Sequence, residues 1–259
     1  MVNSIQKASL LIDMGNSAIK WALSDSSGLS TMSSARYPEN MSATFFTDCL
    51  QDLDTPSDII VSCVVADTAW QALEKACDEL WGLELQKVTA VKEGFGLVNA
   101  YEDAASLGSD RWCAMLGGQA NTDSAFMVID AGSALTLDIV NESKKHLGGY
   151  IVPGLKMMKQ SLGVQTAQVQ VESRAAQLRF LSLGKSTTGC VEAGTLLSLI
   201  ALIESVFENE AKQFGKCQPY ITGGDAELIA GLLSFKCVII PDLVLRGLAV
   251  IAANSLENN

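Results

Sequence analysis

Short apolar runs that end on an aspartate and turn through a glycine set the frame of this chain. Leu10-Leu11-Ile12-Asp13 leads into Met14-Gly15-Asn16-Ser17, after which Ala18 to Leu23 alternates apolar and polar positions. A continuous run followed by period-two alternation predicts a buried strand, a tight turn and a half-buried second strand. Gly15 admits the turn that a Cβ would obstruct. Val128 to Asp138, VIDAGSALTLD, repeats the arrangement in part, with Asp130, Gly132 and Ser133 at the matching places. Backbone N–H groups at such a turn suit a phosphate, and the fixed carboxylate suits a metal ion or its waters. One such hairpin is also an ordinary Asp-x-Gly turn. Two copies predict a duplicated domain with a nucleotide held between two facing hairpins.

The pattern between the copies predicts a third, Ser-rich strand within Gly28 to Tyr37 and a helix over Met41 to Leu53. Asp58 to Val64 reads as a buried strand, Asp67 to Leu80 as a capped helix, and Leu83 to Val88 as another strand. After the second hairpin the same series returns. A strand is predicted over His146 to Val152, a helix over Gly154 to Leu162, and a long helix over Thr187 to Phe214. That helix carries a wide apolar stripe of Leu196, Leu197, Ile200, Ile203, Val206 and Phe207. Gly163 to Gln177 is polar, Gln-rich and without a clear pattern. Cys217 to Thr222 then predicts a strand entering the Gly223-Gly224 turn, Ala226 to Leu233 a helix, Lys236 to Ile240 a strand, and Leu243 to Leu256 a closing helix. Strands alternating with helices, with three strands opening each half, predict an α/β class with mixed sheets. No Pro/Gly/Ser linker divides the halves, and the junction near Asn121 to Ser124 predicts domains at 1–122 and 123–259.

Composition narrows the function. At 259 residues and 48% hydrophobic the chain can bury a substantial core. The net charge of −11 and the absence of any Lys/Arg cluster argue against nucleic acid and anionic membranes, which both require phosphate neutralisation. Seven cysteines occur singly, mostly in apolar runs, as small buried hydrophobes of a reducing compartment do. Asp13 breaks the first apolar run, so neither a signal peptide nor a span is expected, and the chain reads as cytoplasmic. His146, the sole histidine, sits in the polar stretch Glu142 to His146 and reads as a surface turn residue. Acid–base work therefore falls to carboxylates.

Four further blocks could carry chemistry. Leu107-Gly108-Ser109-Asp110-Arg111-Trp112 opens a predicted helix. It reads either as a solvated pair in the first turn, where Asp suits the macrodipole, or as a packed functional pair, since Trp112 to Leu116 is apolar. Gly148 to Gly154 reads as a strand bounded by turns. Ser186-Thr187-Thr188 is a helix cap. Thr222-Gly223-Gly224-Asp225 lets backbone approach a ring or a phosphate.

In this order the blocks resemble the actin/Hsp70/sugar-kinase ATPase superfamily and, more closely, the type III pantothenate kinases. Asp13-Met14-Gly15-Asn16-Ser17-Ala18-Ile19-Lys20 resembles the family's first phosphate hairpin. Gly108-Ser109-Asp110-Arg111 resembles its Gly-x-Asp-Arg block, Asp130 to Ala134 its Asp-x-Gly-Thr-Ala block, and Gly148 to Gly154 its Gly-Gly-x-Ile-x-Pro-Gly block. Ser133 departs from the usual Thr but keeps the hydroxyl. Ala104 stands where the family favours Pro, which is expected to loosen the loop after Tyr101.

The resemblance implies two duplicated ribonuclease H-like domains in an actin-like ATPase fold, with the nucleotide in the cleft between them. It implies ATP-dependent phosphorylation of pantothenate, the first step of coenzyme A biosynthesis, by a homodimer. Asp110 is then the general base, Arg111 the partner of the substrate carboxylate, and Tyr101, Gly108, Ser109 and Thr187 substrate-contacting positions. Asp13 would hold Mg²⁺ through water. Gly15, Asn16, Ser17, Lys20, Gly132, Ser133, Gly223 and Gly224 would face the nucleotide, and Asp130 would bind an activating K⁺ or NH₄⁺. The long helix from Thr187 is a candidate for the dimer interface, and equally a core helix. The rival reading is a catalytically silent nucleotide-binding regulator or transcription accessory factor on the same fold, which has no need of Asp110 beside Arg111. A second rival is another small-molecule kinase of the superfamily.

Overall fold

The computed structural model describes residues 8–163 and 182–257 and divides into two units. The first unit is residues 1–120 with 242–259, and the second is residues 121–241. Most of the Gln-rich passage at Gly163 to Gln177 lies outside the described residues.

In the first unit β1 (Ser9–Met14) and β2 (Ala18–Asp25) form the expected antiparallel hairpin, with Asp13 directly opposite Lys20. The Ser-rich stretch supplies two short strands, β3 (Gly28–Leu29) and β4 (Ser33–Arg36), both paired to β2. After α1 (Ala43–Leu50), β5 (Ile59–Cys63) runs parallel to β1 and places Ser62 beside Asp13. After α2 (Asp67–Trp81), β6 (Leu85–Lys87) extends the sheet in parallel, giving the order β3-β2-β1-β5-β6. Alternation sorts the two faces. Leu10, Ile12, Met14, Ile59 and Val61 pack with Phe46, Leu50 and Leu73 of α1 and α2. Asp13, Lys20 and Ser62 belong to the opposite face.

A separate two-stranded hairpin, β7 (Glu93–Gly94) and β8 (Leu97–Val98), has no counterpart in the sequence reading. Its two turn residues, Phe95 and Gly96, both hold positive φ, 55° and 76°, as a type I′ turn requires. A 3₁₀ turn at Ala104–Ser106 leads to α3 (Ser109–Gln119).

The second unit repeats the plan. β9 (Ala125–Ala131) pairs antiparallel with β10 (Ala134–Val140), which pairs with β11 (His146–Pro153). After α4 (Leu155–Ser161) and α5 (Thr187–Phe214), β12 (Cys217–Thr222) runs parallel to β9. After α6 (Ala226–Ala230), β13 (Val238–Ile239) closes the order β11-β10-β9-β12-β13. One face of this sheet, with Met127, Ile129, Leu135 and Leu137, packs against Leu155 of α4, Leu199, Ile200 and Ile203 of α5, and Ile229 of α6. By length and composition α5 could cross a membrane; Leu196, Leu199, Ile200, Ile203 and Val206 of its inner stripe pack into the core of this unit. Leu197, expected in the stripe, is 51% exposed.

His146 is not a surface residue. It begins β11, is buried, and its Nε2 lies 2.9 Å from Oδ1 of buried Asp138 on β10. The neighbouring lysines set the polar look of the stretch, while β-pairing of His146 with Val140 turns its ring inward.

The closing helix α7 (Leu243–Glu257), expected with the second domain, belongs to the first unit. Two glycines permit its close approach to α3. A Cβ on Gly117 would meet the Leu243 carbonyl oxygen, and one on Gly247 would overlap the Cys113 carbonyl. This contact buries α3 almost throughout, from Arg111 to Gly118.

Candidate active site

The first hairpin brings Asp13, 6% exposed, to the end of β1, with Lys20 across the ladder on the same face. Gly15, Asn16 and Ser17 form the three-residue connection. Asn16 and Ser17 are exposed and Gly15 half-buried, in contrast with the buried strand they follow.

Asp110 and Arg111 lie in the first turn of α3, with Gly108 as its cap residue. The Arg111 backbone N–H donates to Asp110 Oδ1 at 2.7 Å, which fixes the carboxylate at the helix start. A Cβ on Gly108 would lie 2.5 Å from that same oxygen, so any larger residue there would push on the Asp110 carboxylate. Arg111 is 6% exposed, and its Nη1 donates to the Tyr101 hydroxyl at 2.8 Å. The guanidinium also stands 5.7 Å from the Tyr101 ring centre, a cation–π geometry. Of the two readings of this block, the packed pair is the one the structure has. The Ser109 hydroxyl faces inward, 3.0 Å from Ser62 Oγ, and accepts the Cys63 N–H at 3.2 Å.

The loop bearing Tyr101 is held by residues the sequence reading passed over. Buried Asn99 accepts the Tyr101 N–H at 3.0 Å and donates to the Ala104 carbonyl at 3.2 Å. Lys92 Nζ donates to the Tyr101 carbonyl at 2.8 Å. Asp103 caps the 3₁₀ turn through the Ala105 N–H at 3.2 Å. Ala104, where the loosening is expected, has its carbonyl held by Asn99. Asn two residues before Tyr101 was the available signal, since Asn side chains close such turns on nearby backbone.

Asp13 and Asp110 share a neighbourhood. Burial first, and then the carboxylates of Asp13 and Asp110, push the Cys113 thiol well above its ordinary pKa. Two carboxylates that both act on one buried thiol, one at a Gly-turn hairpin and one at a helix start, suit phosphoryl transfer, in which one neutralised site holds phosphates and another takes a proton.

In the second unit Asp130 is the next-to-last residue of β9, and Gly132-Ser133 form a two-residue connection, one shorter than in the first hairpin. The ladder sets Thr136 opposite Asp130, where the first hairpin has Lys20 opposite Asp13. The Ser133 carbonyl accepts the Gly154 N–H at 2.9 Å, joining the hairpin to the start of α4. Gly223, at φ +97°, lies so close that a Cβ would come within 2.6 Å of Asp130 Oδ1. The Asp225 N–H donates to the Ala131 carbonyl at 2.9 Å, so the Gly223-Gly224 turn is stitched to the hairpin. Burial raises the Asp225 pKa, and Lys159 partly offsets this. Thr187 opens α5 and borders a cavity of about 510 Å³ between α4 and α5.

Among the described residues, no three His, Cys, Asp or Glu side chains gather into a metal cluster. A buried single carboxylate at a phosphate-type turn does fit Mg²⁺, which keeps several waters and is completed by substrate phosphates.

Comparison with known proteins gives the family and the fold. A sequence model of the type III pantothenate kinase family matches residues 9–209. The type III pantothenate kinase of Marinobacter nauticus is 36% identical over 94% of this chain and 98% of its own. That of Nitrosococcus oceani is 33% identical over 95% and 94%. Among solved structures, component A of (R)-2-hydroxyglutaryl-CoA dehydratase from Acidaminococcus fermentans aligns with a TM-score of 0.52 at 13% identity, covering 97% of this chain and 98% of that one. Likeness at that identity speaks for the fold alone, which is that of the actin-like ATPases and sugar kinases. The chain belongs to the type III pantothenate kinase family.

Proposed function

We propose that this protein transfers the γ-phosphoryl group of ATP to the primary hydroxyl of pantothenate, opening coenzyme A biosynthesis. The observation that carries the residue assignment is the start of α3, where Asp110, fixed by a backbone N–H, adjoins an Arg111 bonded to Tyr101. Asp110 accepts the proton of the attacking hydroxyl. The hydroxyl oxygen bonds to the γ-phosphorus as the bond to the β–γ bridging oxygen breaks and ADP leaves. Arg111 offers a planar fork to the pantothenate carboxylate, and the Tyr101 contact holds that fork in place. Gly108 and Ser109 serve the substrate through backbone, because the Ser109 hydroxyl is already bonded to β5. Thr187 is assigned to the same substrate.

For the nucleotide, Gly15, Asn16, Ser17 and Lys20 are assigned on the first unit, and Gly132, Ser133, Gly223 and Gly224 on the second. Asp13 would hold Mg²⁺ through water, and bound Mg²⁺ would neutralise charge on the β- and γ-phosphates. Asp130 is assigned a monovalent cation, K⁺ or NH₄⁺. The presence of Thr136 across the ladder, where the first hairpin has Lys20, supports that choice. The working form is a cytoplasmic homodimer. Its seven free cysteines suit a reducing compartment, and exposed Leu197 on α5 suits an interface.

The test is a coupled ADP-release assay with and without pantothenate. Pantothenate-dependent ADP release supports the activity. ATP binding with no pantothenate-dependent release would favour the regulator reading.

A further inference from the structure

We infer that Ser62, outside every assigned motif, is a positioning residue that ties Asp110 to the strand pair carrying Asp13. Ser62 is fully buried on β5 and stands in register with Asp13 on β1. Its hydroxyl lies 3.0 Å from the hydroxyl of Ser109, the first residue of α3. Ser109 in turn accepts the N–H of Cys63 at 3.2 Å. The start of α3 is thereby bolted to the end of β5, one strand from Asp13, and Asp110 is the next residue along.

The rest of α3 is held differently, by close packing against α7 at Gly117 and Gly247. Helix packing fixes the axis of α3, but a first turn frays unless its polar groups are engaged. Gly108, the cap residue, has no side chain to engage them; Asp110 takes the Arg111 N–H, and the side chain of Ser109, the first residue of the turn, is anchored outside the helix on Ser62 and Cys63. A hydroxyl pair in a buried site is also directional, whereas apolar packing there would leave the turn free to slide. Phosphoryl transfer depends on where the base stands relative to the phosphate, and displacement of about 1 Å can cost on the order of 10²-fold in rate. Ser62 therefore acts through Ser109 and Asp110, not on substrate.

This inference rests on the reading of Asp110 as the base, and the experiment separates the two. Steady-state kinetics are measured for Ser62→Ala, Asp110→Asn and the double variant. Ser62→Cys, which fills the same space with a much weaker hydrogen-bonding group, serves should the alanine variant fail to fold. Ser62→Ala is expected to lower kcat roughly 10-fold to 100-fold, with KM for ATP and for pantothenate within about twofold and the MgATP-induced rise in Tm retained. In the Asp110→Asn background the same substitution should change kcat little, because there is no base left to position. An unchanged kcat in folded Ser62→Ala or Ser62→Cys overturns the inference. So does an equal fractional loss in both backgrounds, which would place the effect elsewhere. Full activity of Asp110→Asn alone overturns the base assignment, and this inference with it.

Discussion

Arg111 donates a hydrogen bond to the Tyr101 hydroxyl at 2.8 Å while its guanidinium stands over the same ring at 5.7 Å. One aromatic side chain thus engages the arginine by edge and by face. Asp103 is engaged elsewhere, capping the 3₁₀ turn. An arginine held this way keeps its planar fork oriented, which is what recognition of a carboxylate requires. Arg111→Ala should raise the KM for pantothenate by roughly 10- to 100-fold, the equivalent of about 1.5–3 kcal/mol for a charge-assisted contact. Pantothenol, which lacks the carboxylate, should be a poor substrate for the wild type and lose little more in the variant. An unchanged ratio of pantothenate to pantothenol activity would make Arg111 a structural residue.

Tyr101→Phe separates the two halves of that contact. It keeps the ring beneath the guanidinium and removes the hydrogen bond. We expect a smaller rise in pantothenate KM than for Arg111→Ala, with ATP KM unchanged. A loss as large as that of Arg111→Ala would mean that Tyr101 touches the substrate through its hydroxyl.

Turnover should depend on the monovalent cation. Choline or Na⁺ alone should give little rate, K⁺ or NH₄⁺ should restore it, and Asp130→Asn should blunt the dependence. Equal rates in all salts would remove Asp130 from this role.

Asp225 supplies a pH signature of stability. Its pKa is raised by burial, with Lys159 opposing, so the folded protein binds that proton more tightly than the unfolded chain. The stability it contributes is complete below the ordinary value of 3.8 and is lost as pH rises through the folded value. Asp225→Asn should therefore raise Tm at neutral pH, with the gain fading as pH falls towards that value. A gain independent of pH would point to some cause other than the ionised carboxylate.

Close packing of α3 on α7 predicts that Gly247→Ala is destabilising. The added methyl would overlap the Cys113 carbonyl, and backbone there cannot yield as a side-chain end can. Overpacking of this kind costs about 1–3 kcal/mol, read as a fall in Tm. An unchanged Tm would mean that the two helices separate readily.

Both hairpins were legible because an apolar run, an Asp and a Gly leave few local alternatives. Their different registers were not. Which residue of each second strand faces the aspartate, Lys20 in one hairpin and Thr136 in the other, is set by connections of three and two residues, and composition does not reveal those lengths. The β7–β8 hairpin escaped because two-residue strands have no periodicity and Phe95 is an unusual residue at positive φ. The inward turn of His146 depends on pairing with Asp138 eight residues earlier, masked by the lysines between. Ser62 is a single polar residue inside an apolar run, and its partner lies 47 residues away, beyond the reach of local pattern. The place of α7 was hidden for the same reason, as Gly117 and Gly247 meet only in three dimensions.

The assignment of Asp110 as general base is tested most directly by single-turnover phosphorylation of pantothenate by Asp110→Asn, with ATP binding measured on the same sample. The account predicts a rate lower by roughly 10²–10⁴-fold, the usual worth of a positioned base, with nucleotide affinity within about twofold of wild type. A wild-type rate would contradict it, and loss of ATP binding would move Asp110 to the nucleotide side of the site.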